Sequence, residues 1–258
     1  MLSYKKINIF FLTLFLLLFV SSFFITVEWW CYFLLFIFRF ILLLIGSSFI
    51  HLSIHVDAFC ENPLEKEKRI ALTFDDGPHL VTPQILAILE KYNVKATFFC
   101  IGKNIETYPE ILKQINERGH LIGNHSFSHS HFFDFYRKKR VIRELHATDE
   151  IIKKNIGKKP LFFRPPYGVT NPSIGRALKI TNHNVIGWNI RSMDGIVKNE
   201  KMILNRIFKR VSPGSIILLH DTSLVTVSVL EQLLLFLQNN NYKVVSVDKL
   251  LNLNAYEE

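Results

Sequence analysis

Strand-like apolar runs alternate with amphipathic helical patterns through most of this 258-residue chain, and several of the strand-like runs end on charged or histidine-rich motifs. Runs at 70–74, 96–101, 121–123, 161–163, 184–188, 215–219 and 242–247 are separated by helical patterns at 83–92, 109–118, 141–156, 172–180, 201–211 and 225–238. About seven βα units of this kind demand a mostly parallel sheet with helices outside it. Their regular spacing favours a closed or distorted barrel over an open doubly wound sheet. No glycine-rich phosphate fingerprint follows the first strand, which disfavours a dinucleotide enzyme.

A parallel sheet or barrel of this kind collects its chemistry at the carboxyl ends of its strands. Four motifs follow strand-like runs: Thr73-Phe-Asp75-Asp76-Gly77-Pro78, His125-Ser-Phe-Ser-His129, Arg164-Pro-Pro-Tyr167-Gly168 and Leu218-Leu-His220-Asp221. On a strand the neighbouring Asp75 and Asp76 point to opposite faces, so one acid is free to bind a metal while the other handles protons. Asp-Asp-Gly-Pro is equally good turn chemistry. His125 and His129, four positions apart, share one side of a helical turn and suit a single divalent ion, although nearby His131 makes the region simply histidine-rich. The prolines after Arg164 restrict the backbone there. His220, beside carboxylates, suits a general acid titrating near neutral pH.

The first fifty or so residues have a different character. Residues 7–27 carry no charge and are long enough to cross a bilayer. A second apolar run, 29–50, carries Arg39 near its middle, which is costly in lipid without a partner. Lys5 and Lys6 put the amino terminus inside by the positive-inside rule, so a single crossing exports the domain and two crossings return it. Arg39, the run that follows and Val56-Asp57-Ala58 also have the order of a signal peptide and its cleavage site. The organisation read from composition is a membrane region of one or two segments over 1–55, a polar linker over 56–68, a catalytic domain over 69–251 and a tail over 252–258. The three cysteines make no disulfide framework, and Cys100 reads as a core thiol. The formal charge of +9 suits an anionic surface, but no dense basic tract marks a nucleic-acid site.

Over about 69–251, the four motifs in their order resemble the polysaccharide deacetylase family, also called the NodB-homology or carbohydrate esterase family 4 domain. The resemblance implies a distorted (β/α)7 barrel and metal-dependent removal of N-acetyl groups from N-acetylhexosamine polymers such as peptidoglycan or chitin. Carried over position by position, it implies Asp75 as catalytic base, Asp76, His125 and His129 as metal ligands, and Arg164 as the residue holding the base. Tyr167 would offer its backbone N–H to the oxyanion, Leu218 would line the acetyl-methyl pocket, and His220 would protonate the leaving amine with Asp194 orienting it. The chain departs from the family pattern at Gly195, where Trp is common. Zinc suits the His2Asp set, and cobalt or manganese are also accepted.

The expected partners are an N-acetylated glycan and a membrane, with the domain on the extracytoplasmic side, the first apolar run spanning, and the second interfacial or removed. Two other readings are a metal amidohydrolase for a small amide or imide, and an inactive membrane-tethered glycan-binding module. The second is disfavoured by the complete set of acids and histidines. The sequence leaves the oligomeric state open.

Overall fold

A computed structural model describes residues 3–258. The apolar amino-terminal region forms two helices, α1 (Tyr4–Ser21) and α2 (Trp29–Ser48). At 1.5 Å per residue they are about 27 and 30 Å long, close to the thickness of a bilayer core. They run antiparallel: Asn8 meets Arg39, Phe11 packs on Phe38, and the Tyr32 hydroxyl donates to the Leu18 carbonyl. Arg39 is not isolated, because its guanidinium donates twice to the Asn8 amide oxygen, at 2.6 and 3.1 Å. A polar partner of this kind reduces the cost of a cation in an apolar helix. The second run is therefore as good a helix as the first. The hairpin also returns to its starting end, where the Tyr4 N–H donates to the Ile54 carbonyl. Lys5 and Lys6 thus lie at the same end as the domain, and two full crossings cannot place them inside with the domain outside.

Next come β1 (Ala58–Phe59), β2 (Arg69–Gly77), α3 (Thr82–Lys91), β3 (Thr97–Cys100), α4 (Gly102–Thr107), α5 (Pro109–Glu117), β4 (Leu121–Asn124), α6 (Lys138–Ile156), β5 (Phe162–Phe163), α7 (Pro172–Thr181) and β6 (Asn184–Ile186). The chain ends with β7 (Ile190–Arg191), α8 (Glu200–Phe208), β8 (Ile216–His220), α9 (Leu224–Asn239), β9 (Lys243–Val244) and α10 (Val247–Leu251). The strands form one sheet in the order β1-β6-β5-β4-β3-β2-β8-β7, with β9 joining the start of β2, and every ladder is parallel. The sheet is a curled, unclosed barrel whose path ends at β1 and β7. Beyond β1 the chain reaches back to β8 through the Glu61–Ser215 bridge.

Residues 56–68, expected as a linker, thus supply an edge strand. The last residues also pack back: Ala255 is buried and the Tyr256 hydroxyl accepts from the Ile122 N–H. The sequence pattern missed β1, β7, α4 and α10, all of six residues or fewer and too short to show a period.

Strand alternation sorts the side chains into two layers. Leu72, Phe74, Phe98, Ile122, Ile217 and Leu219 face outward and pack under Ile85, Leu89, Leu112 and Leu233 of the helices. Cys100 is fully buried in that layer, as expected. The inward face of β2 carries Ala71, Thr73 and Asp75, aligned in register with Ile216, Leu218 and His220 of β8. Ala71, Phe99, Phe162, Ile186 and Ile216 fill the bottom of the barrel together with Val247 and Leu250 of α10. Polar residues on the same alternation, Thr73, Asp75 and His220, therefore rise toward the open upper end.

Candidate active site

At the top of β2 the ladder is interrupted: the register with β3 shifts between Asp75 and Gly77, and Asp76 is left-handed at φ +73°. Strand alternation would set the two acids on opposite faces, but the bulge breaks that alternation. An extra residue re-aims the side chain, and both carboxylates face His125, with His125 Nε2 3.7 Å from Asp75 Oδ2 and 3.5 Å from Asp76 Oδ1. Asn104 of α4 secures the bulge by donating to the Asp76 carbonyl.

His125 and His129 also converge, but not on a helix. They lie in the loop after β4, in which Ser126 and His129 are both left-handed. Side chains hold this loop: Asn124 Oδ1 accepts from the Ser126 N–H, Ser126 Oγ from the His129 N–H, and the Glu144 carboxylate from the Ser128 N–H and hydroxyl. Asn124 is itself anchored by donating to Asp149. Sequence reasoning passed over Asn124, Ser126 and Glu144; Asn124 ends a strand just before a histidine motif, which was the one available signal.

The three side chains form a compact donor set. Ligand atoms of Asp76, His125 and His129 lie within 4.8 Å of one another, and His129 Nε2 is 3.4 Å from Asp76 Oδ1. That oxygen is buried and has no hydrogen-bond partner, a costly state unless something else satisfies it. His125 Nδ1–H donates to the Arg164 carbonyl at 2.7 Å, which fixes the tautomer and leaves Nε2 free as a donor to a metal. Burial and the neighbouring His125 push His129 down to about 4, so it is neutral as a ligand must be. Burial resists ionisation of Asp76, but the surrounding histidines hold it well below the usual carboxylate range. These residues fit a divalent ion with an open side.

Beside this set, Arg164 is fully buried and spends its guanidinium on four acceptors: Asp75 Oδ1 at 2.7 Å, Thr73 Oγ1, and the Ile186 and Gly187 carbonyls. Its plane lies 4.2 Å over the Phe99 ring. A buried Asp75 bound in this way keeps one oxygen for Arg164 and presents the other to the site.

His220 faces Asp75 across the β2–β8 ladder. Its Nδ1 is 2.8 Å from Asp194 Oδ1, and its N–H donates to Oδ2. Ser192 and Thr226 donate to the same carboxylate, so every Asp194 lone pair facing the protein is engaged. Burial alone would lower His220, but the hydrogen bond and charge of Asp194 outweigh it and raise the imidazole to about 9. It is protonated at neutral pH, higher than the near-neutral titration the sequence suggested. A Cβ at Gly195 would lie 3.4 Å from the His220 ring, so a side chain at this position would stand against that face of the histidine.

Tyr167 is left-handed (φ +59°) in the turn after the two prolines, and Gly168 and Val169 close that turn onto Pro165 and Pro166 without using the Tyr167 N–H. Its ring lies 4.8 Å from that of His129 and its hydroxyl is 2.9 Å from His131 Nδ1. Leu218 sits two residues below His220 on the same inward face, buried beside Thr73. One further acid went unassigned: Asp221 is fully buried, accepts from the Thr82 hydroxyl, and is raised to about 7, first by burial.

The family model for polysaccharide deacetylase matches residues 63–186. The chain is 35% identical to the peptidoglycan-N-acetylmuramic acid deacetylase PdaC of Bacillus subtilis over 71% of its length, spanning 39% of that protein. With a peptidoglycan-N-acetylglucosamine deacetylase of Bacillus cereus it shares 34% identity, covering 72% of this chain and 89% of the relative. The chain belongs to the polysaccharide deacetylase family. Among solved structures, the Bc1960 peptidoglycan N-acetylglucosamine deacetylase superposes with a TM-score of 0.72 at 31% identity, over 78% of this chain and 94% of the other. A family pseudoenzyme from Bacillus anthracis gives 0.70 at 26% identity, over 76% and 69%. The distorted-barrel expectation stands, with the barrel open at one seam. The chain spans about two fifths of PdaC.

Proposed function

We propose that this protein is a membrane-anchored, divalent-metal-dependent N-deacetylase of N-acetylhexosamine glycans at the cell envelope. The observation that carries the reading is a pair of opposed, separately held proton-transfer groups, Asp75 on Arg164 and His220 on Asp194, across the Asp76–His125–His129 donor set. When bound there, the ion, zinc on the chemistry of the donors, supplies a polarised amide carbonyl and an acidified water. Asp75 accepts the proton that water loses as it adds to the carbonyl. The Tyr167 N–H donates to the developing oxyanion, an interaction contributing on the order of 3–4 kcal/mol in comparable sites. Leu218 receives the acetyl methyl. His220 then gives its proton to the departing nitrogen, and the products are acetate and a free amine. The deacetylase names borne by the relatives support the same reaction.

Acetate release from N-acetylglucosamine oligomers by the detergent-solubilised full chain, abolished by chelator and restored by zinc, is the expected result. No acetate from any N-acetylated glycan would overturn the reading.

Because His220 is raised and acts as the acid, activity should be full at neutral pH and fall as pH rises through about 9. His220→Ala should lower kcat and remove that alkaline limb. A limb unchanged in the variant would assign the proton to another group.

The hairpin of two bilayer-length helices, with large apolar side chains exposed on most sides, supports membrane insertion. A peptidoglycan-like substrate places the domain outside the cytoplasm. Two lysines bias the orientation of a short hairpin without fixing it. Protease added to intact spheroplasts should therefore digest the domain, and a tag at the amino terminus should be accessible with it. Protection of both would put the domain inside and favour a small amide as substrate, whereas protection of the tag alone would mean that only one helix crosses.

A further inference from the structure

We propose, resting on that reading, that the site acts on N-acetylated glycan presented at the bilayer surface and not on polymer standing away from it. The reason is that the catalytic mouth and the amino-terminal hairpin are joined by direct contacts. The loop carrying Tyr167 runs on to Thr170, whose N–H donates to the Ser47 carbonyl in the last turn of α2 at 3.1 Å. Three Cα steps span at most about 11 Å, and the Tyr167 ring is already against His129. The mouth of the site therefore lies within roughly 20 Å of the end of α2.

No slack lies between them. Ile50 and Val56, which connect α2 to β1, are buried in one cluster with Ile174, Ala177 and Val185 of the domain. Gly175 of α7 approaches the His55 carbonyl so closely that a Cβ would stand 2.6 Å from it, and Gly46 of α2 meets Ile54 at 2.7 Å in the same sense. The Ser47 hydroxyl and His55 Nε2 are 3.2 Å apart. The Thr170–Ser47 bond crosses directly from hairpin to domain, Gly175 and the Ile50–Val56 cluster pack the connecting segment onto the domain, and Gly46–Ile54 and Ser47–His55 hold that segment against α2; a flexible tether would have none of them.

The same side of the domain carries an apolar rim. Phe132 and Phe135 are 68% and 79% exposed in the loop that follows the histidine motif. Asn171, next to Thr170, ties that loop down by donating to the Asp134 carbonyl. Phe49, at the end of α2, is also exposed. Aromatic side chains at this level suit the interfacial layer of a bilayer. The occupant this arrangement fits is a glycan whose N-acetyl group is held close above the lipid headgroups.

The test uses the full chain in proteoliposomes and an N-acetylglucosamine tetramer offered in three ways: free, joined to a diacyl lipid by a short spacer, and joined to it by an oligoproline rod of about 20 residues, which stands off by ~60 Å. Both lipid-linked forms share the gain from surface concentration, so the comparison between them isolates reach. Acetate should appear at least ten times faster from the short-spacer lipid than from the rod. Inserting about 120 Gly/Ser residues between Ser53 and Ile54 should erase the difference while leaving turnover of the free tetramer, because such a tether reaches ~60 Å on average. Equal rates on short and long spacers by the parental protein would overturn the inference and leave the deacetylase reading intact. Silence on all three, the free tetramer included, would sink both.

Discussion

Replacing Asp76, His125 or His129 by alanine should remove the bound divalent ion and turnover together. Each variant deletes one of only three protein ligands in a set whose atoms lie within 4.8 Å, and an ion left with two protein ligands is held far more weakly. His125→Ala should have the widest effect, since it also frees the Arg164 carbonyl that His125 Nδ1 satisfies. Metal analysis of the purified variants, beside an acetate assay at saturating zinc, checks this. Stoichiometric metal retained in all three variants would refute the ligand assignment, whatever happened to the rate.

Asp75→Asn should separate the two properties that the first set of variants loses together. The asparagine keeps the volume and an oxygen for the Arg164 Nη1 that now donates to Asp75 at 2.7 Å, but it cannot take a proton from water. Metal should stay bound while kcat falls by ~10²–10⁴, the usual worth of a general base. Stability should also drop, because Arg164 is fully buried and loses its counter-charge; breaking such a pair costs about 3–5 kcal/mol. A thermal melt beside the kinetics keeps the two apart. Parental kcat in a folded, metal-loaded Asp75→Asn protein would remove Asp75 from the mechanism.

Much of the fold was legible because it rests on short-range patterns. Alternation within β2 and β8 places Thr73, Asp75, Leu218 and His220 on one face, and the helical periods of α3, α5, α6, α7 and α9 appear within a residue or a few of where they were expected. The elements that escaped, β1, β7, α4 and α10, are held by partners distant in sequence: β1 exists because β6 lies beside it, more than a hundred residues later. No local window contains that information.

The candidate site divides in the same way. The residue types, their order and their position after strands stand in the chain itself and single out Asp75, Asp76, His125, Arg164 and His220, whereas Asp194 came from the family resemblance. The geometric reasons given for two of the groupings were not. Asp76 joins Asp75 because a bulge and a left-handed backbone turn it, and His129 joins His125 through a loop pinned by Asn124, Ser126 and Glu144. Four residues apart is the spacing of a helical turn, but these four cross a loop.

What the sequence by itself determined was the inventory of chemistry and the sheet that carries it, since both follow from residue type and period. What only the tertiary structure decided was the environment of each group and the attachment of the whole. The elevation of His220 comes from Asp194, 26 residues away in the chain and itself held by Thr226, 32 residues away. The docking of the hairpin comes from contacts of Ile50 and His55 with α7, and of Ser47 with Thr170 just before it, more than a hundred residues away. Desolvation, opposed charge and close packing act between groups brought together in space, and no short-range pattern encodes that proximity.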